Sequence, residues 1–188
     1  MERAVSLIRT LCVSLMLLGL SQACLALVLP EGLAVDPPDA VDMTQQALST
    51  TGDEKLVLAA WESDTLRYFI RVERLASGPL DAPAYYSKLV SELRASGLNV
   101  ETDRRGDYPI GEGLLGAYLV VDTHPTAGMR IDRTVVHFIT NGKVAFVAVA
   151  RLGSALSLDQ LIQETIALFK TARLVEPATP SAAKPSGR

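Results

Sequence analysis

The chain has 188 residues, of which 48% are hydrophobic and 21% charged, and its formal net charge is −3. This is the composition of one globular domain, large enough to bury a core without disulfides. The acidic balance supplies neither the clustered basic face that nucleic acid requires nor a polybasic run for anionic lipid.

Residues 1–26 read as a cleavable export signal. Arg3 and Arg9 give a positive start. Leu11–Leu20 (LCVSLMLLGL) is an apolar run too short to span a bilayer. Cleavage after Ala26 would follow Cys-Leu-Ala, and cleavage after Ala23 would follow Ser-Gln-Ala; both fit a small-x-small site. The two cysteines, Cys12 and Cys24, lie in or beside this segment. The cut after Ala26 leaves a thiol-free protein, periplasmic or secreted, with no transmembrane helix. The cut after Ala23 leaves Cys24 first, which resembles a bacterial lipoprotein tethered through that cysteine.

Residues 27–175 read as a single α+β domain, and 176–188 (EPATPSAAKPSGR) as a disordered tail with no apolar anchor. Val28–Asp42 is Pro-rich and reads as irregular, followed by a helical turn around Val41–Leu48 and a loop at Ser49–Asp53. Leu56–Trp61 and Leu66–Leu75 read as a hairpin around Glu62–Thr65, the second strand alternating Tyr68, Ile70 and Val72 with Arg67, Arg71 and Glu73. Pro83–Ser96 predicts a helix capped by Asp81 and stopped by Gly97, with Tyr86, Leu89, Val90 and Leu93 as its apolar stripe. A short strand at Leu98–Thr102, a polar loop and a strand at Leu115–Asp122 follow. Asn141-Gly142 then predicts a tight type I′ hairpin, with Thr140 opposite Lys143 and His137 opposite Phe146. Both faces of that hairpin are apolar, so each requires a cover. The last helix, Leu158–Ala172, opens with a Ser157/Gln160 capping box and buries Leu158, Leu161, Ile162, Thr165, Ile166 and Phe169.

Strands and helices do not alternate regularly, which disfavours a parallel doubly wound sheet and favours an antiparallel sheet flanked by two α-helices. The early Leu29–Gly32 (LPEG) segment, the first hairpin, the helix after a polar loop, the Asn-Gly hairpin and the final amphipathic helix together resemble the PsbP-like fold. That group includes photosystem II extrinsic proteins, a Ran-binding import factor and small exported bacterial proteins. The resemblance spans Leu29–Val175 and implies an α/β/α sandwich; it assigns no site residue.

Candidate chemistry is sparse. Gly111, Gly113 and Gly116 spell G-x-G-x-x-G, but a polar loop precedes them and a strand follows, the reverse of a dinucleotide site, so they read as a mobile loop. The two histidines, His124 beside Pro125 in a loop and His137 in mid-strand, lack metal-ligand spacing, so neither a metal nor a cofactor is expected. His137 reads as a packed histidine, and His124 as a partner for Asp122. Ser154 sits outside any nucleophile-elbow frame. Arg104-Arg105 is the one basic dipeptide beside a turn and could hold a phosphate or carboxylate. Residues Arg104–Gly116 and His124–Arg130 are therefore the expected working surface, with Arg104, Arg105, His124 and Arg130 as binding residues. The leading expectation is a non-enzymatic exported accessory or binding domain, its partner a protein or small ligand outside the cytoplasm. The alternative is a small hydrolase or metal-dependent enzyme built on His124 or His137.

Overall fold

The computed structural model describes residues 26–29, 32–37, 42–50, 53–125, 132–153 and 156–175; over 45–50, 53–57 and 125 it describes the backbone alone. Ten strands and two helices occur among the described residues. In chain order they are β1 (Leu27–Val28), β2 (Leu33–Val35), β3 (Asp42–Thr50), β4 (Asp53–Glu62), β5 (Thr65–Arg74), α1 (Ala82–Ala95), β6 (Leu98–Pro109), β7 (Leu115–Pro125), β8 (Asp132–Thr140), β9 (Ala145–Leu152), α2 (Leu158–Lys170) and β10 (Arg173–Leu174). The main sheet has seven antiparallel strands in the order β3-β4-β5-β9-β8-β7-β6. A small sheet, β1-β2-β10, ties the two ends of the described chain together. The architecture is α+β, dominated by antiparallel sheet. None of its described helices is long and apolar enough to cross a membrane.

Local chemistry explains the helices. The Asp81 side chain accepts from Ala84 N, Pro83 lies in the first turn of α1, and Gly97 leaves the helix at φ +87°. In α2 the capping box forms as the sequence implies, with Ser157 and Gln160 satisfying each other's backbone. The buried stripe of α2 is Leu158, Leu161, Ile162, Thr165, Leu168 and Phe169; Leu168 joins it and Ile166 lies at its margin.

The core divides into two clusters. Val135, Ile139, Tyr68, Ile70 and Ala148 pack with α2 in the larger one. Val136, Phe138, Val121 and Val147 pack with Tyr85, Tyr86, Leu89 and Val90 of α1 in the smaller one. Adjacent residues of β8 thus serve different clusters, as the period of two in a strand demands.

Four local expectations are corrected. The stretch taken as a helical turn, Val41–Leu48, contributes to strand β3, which nine consecutive pairs join to β4. Val28–Asp42 is not wholly irregular, since it holds the end of β1 and all of β2, paired through backbone groups that two- and three-residue strands barely advertise. The polar loop after Thr102 is a continuation of strand, because β6 runs to Pro109 along β7. The Asn141-Gly142 turn is not type I′: only Gly142 has positive φ, at 80°, and Asn141 Oδ1 accepts from the amides of Lys143 and Val144 at 2.9 and 3.0 Å. That side-chain turn closes a four-residue loop, so Thr140 pairs with Ala145 and His137 with Ala148. The error is two residues, which leaves every side chain on its face. Residues 1–25 of the signal, with Cys12 and Cys24, and Arg130, Ser154 and the tail beyond Val175 lie outside the described residues.

Candidate functional site

His137 is wholly buried at 0% exposure, between the sheet and α2. Its Nε2 lies 2.9 Å from Thr165 Oγ1, and its Nδ1 lies 2.9 Å from Tyr108 Oη. The Thr165 hydroxyl donates to the Leu161 carbonyl at 2.7 Å, so it accepts from His137, and Nε2 carries the proton. Nδ1 then accepts from the Tyr108 hydroxyl. Burial pushes the His137 pKa down to about 3 and raises that of Tyr108, keeping both neutral and this hydrogen-bond assignment intact. The ring is fully satisfied and sealed by Phe169 at 5.0 Å between centroids. These bonds make His137 a fastener between β8, β6 and α2.

His124 stands in strand β7 opposite Asn99, not in a loop. Its neighbour is Glu101, with Nε2 3.8 Å from the carboxylate. The expected partner, Asp122, is instead taken by the cross-strand Arg133, whose Nε and a terminal nitrogen donate to its two oxygens at 2.7 and 2.5 Å. Among the described residues, no group of three or more His, Cys, Asp or Glu side chains could hold a metal ion.

Two β-bulges re-aim arginines. On β5, Ala60 pairs with Tyr68 but Trp61 pairs with Leu66, so Arg67 is the extra residue. It reaches Glu164 of α2 and, at 2.5 Å, Glu62. On β6, Thr102 pairs with Val121 and Arg105 with Leu119, so Asp103 and Arg104 together oppose Val120. Arg104 reaches Asp159 in the first turn of α2. Arg67 and Arg104 therefore clasp α2 at two points.

Arg105 goes the other way. Its cross-strand partner Leu119 belongs to the α1 cluster, whereas Gly106 opposite Tyr118 and Tyr108 opposite Gly116 face α2. The basic dipeptide is thus divided between the two sides of β6. The Arg105 side chain is exposed and, among the described residues, makes no ion pair or hydrogen bond. It lines a cleft of about 1030 Å³ between α1 and the bulged part of β6. The helix wall comprises Pro83, Tyr86, Ser87, Val90, Ser91 and Arg94; the strand wall runs from Thr102 to Asp107, with Leu119 behind it. Burial raises the Tyr86 pKa, and its hydroxyl donates to the Val136 carbonyl at 3.2 Å, so the phenol braces the helix. Among the described residues, the Arg94 side chain donates only to the Val100 carbonyl, at 3.3 Å. Two guanidiniums without a carboxylate partner among the described residues, with the hydroxyls of Ser87, Ser91 and Thr102, give the cleft the donors an oxyanion would use.

Of the expected binding residues, Arg104 and Arg105 both line this cleft, while His124 is not among its lining residues. The α1 wall was missed, although Gly97 turns α1 straight back onto β6 and so implies that the two lie together. Compared with known proteins, the chain matches no family model and no curated sequence.

Proposed function

We propose that this chain is an exported, non-enzymatic accessory domain that binds an anionic group of a ligand or partner in the α1–β6 cleft. The observation that carries the reading is Arg105, an exposed cation whose side chain has no partner among the described residues, placed in a cleft with Arg94. A cation left without a counter-charge beside a concave surface is available for recognition, whereas Arg104 is already engaged by Asp159. The export signal assigns the work to the periplasm or the exterior. The PsbP-like layout belongs to the same proposal: the division of the core into an α1 cluster and an α2 cluster supports a layered arrangement with the sheet between the helices. The test is photo-crosslinking in the extracytoplasmic fraction, with the crosslinker at Ser87. A specific adduct should form with the wild type and be lost in Arg105→Glu; adducts equally abundant in both would sink the reading.

A further inference from the structure

We infer that the cleft receives an extended, acidic segment of a partner protein, added as a strand to the open edge of β6. This rests on the reading above that the cleft is the working surface.

The first argument is topological. β6 is the last strand of the seven, so no strand among the described residues covers its outer edge. An uncovered edge offers backbone donors and acceptors to an incoming strand. The second argument is shape. The helix wall runs from Pro83 to Arg94, about 16 Å at 1.5 Å per residue. The strand wall runs from Thr102 to Asp107, about 17 Å at ~3.3 Å per residue. The cleft is thus an open trough bounded by a helix flank and a strand edge, and it matches about five extended residues. The third argument is charge. Side chains on one face of an added strand recur at every second residue, and those facing α1 would meet Arg105 and Arg94. Acidic residues at alternate positions match both, and a lone phosphate would fill little of the space.

The β6 bulge limits the pairing. It interrupts the edge at Asp103 and Arg104, so the ladder is short and the side chains in the trough must supply much of the affinity. The acidic groups Asp103 and Asp107 on the same strand disfavour a uniformly charged chain and favour alternation.

The test is fluorescence anisotropy of the purified chain with labelled Glu-Thr-Glu-Thr-Glu, capped at both ends. Three competitors accompany it: the same peptide N-methylated at both Thr amides, its Lys-Thr-Lys-Thr-Lys counterpart, and inorganic phosphate. The acidic peptide should bind, and both N-methylation and Arg105→Glu should weaken it at least tenfold. Arg94→Glu, on the other wall, should weaken it similarly. Equal binding of the N-methylated peptide, with loss in Arg105→Glu, overturns strand addition but keeps the anionic cleft. Binding of phosphate alone has the same meaning. Equal binding of the acidic and basic peptides by both wild type and Arg105→Glu overturns the inference and the cleft reading together.

Discussion

The two helices meet the same sheet on different terms. Helix α2 buries six residues, shares a hydrogen bond with His137 through Thr165, and is held by Arg67 and Arg104 through Glu164 and Asp159. Helix α1 has no fully buried residue; its side chains rest half-covered on Phe138 and Leu119, and its Tyr86 hydroxyl bonds to strand β8. The packing around α2 is closed. That around α1 leaves a trough and, among the described residues, two arginines without a carboxylate partner. The contrast separates the residues that hold the fold from those free to meet something else.

The largest expected effect breaks the closed side. Phe169→Ala should cost about 3–5 kcal/mol in urea denaturation, because it opens a cavity in the α2 core. Leu89→Ala on α1 should cost only about 1 kcal/mol, the ordinary effect of a half-buried truncation. Equal losses would mean that the two sides are not different.

Acid gives an intermediate effect. The folded chain keeps His137 neutral down to about pH 3, while the unfolded chain takes up the proton near 6.5. Between those values the unfolded state binds more protons, so stability is full above pH 6.5 and falls as pH drops. Each pH unit in that window removes roughly 1.4 kcal/mol, so the loss from pH 7 to 5 attributable to this ring is about 2 kcal/mol. Urea midpoints at the two pH values should show it, and His137→Gln should flatten the slope. An unchanged slope in that variant would refute the assignment of His137 as a neutral fastener.

The smallest effect sharpens the picture of how well the closed side is satisfied. Among the described residues, the buried Tyr68 hydroxyl has no partner beside the Arg67–Glu164 pair, where Arg67 Nε and Glu164 Oε2 are also unbonded. Tyr68→Phe removes a costly orphan and should leave stability unchanged or raise it by up to about 1 kcal/mol. A loss of that size would instead show that an ordered water joins these three atoms.

Short-range chemistry was legible in the sequence. Asp81, Ser157 with Gln160, and Gly97 announced their helix ends, and the Tyr68–Val72 alternation announced β5. Strand β3 was not legible, because Met43 and Ala47 are spaced as on a helix and only nine pairs to β4 decide the matter. Arg104 and Arg105 were legible as a basic pair, but their division was not. It follows from a bulge, and a bulge is a relation between two strands with no signature in either. The partner of Asp122 was misjudged for the same reason: His124 is near in sequence, whereas Arg133 is directly across the ladder.

The β8–β9 hairpin shows that a two-residue slip escapes any argument from alternation, since each face keeps its residues. The β6–β7 pair carries a defence against that slip. Tyr108 lies over Gly116 and Tyr118 over Gly106, so closely that a Cβ on either glycine would strike the opposing ring. Sliding one strand by two positions would set tyrosine against tyrosine or glycine against glycine, a collision or a hole. The crossed pairs work like a key cut for one lock position. They fix where Tyr108 meets His137 and, on the reverse of the same strand, where Arg105 stands in the trough.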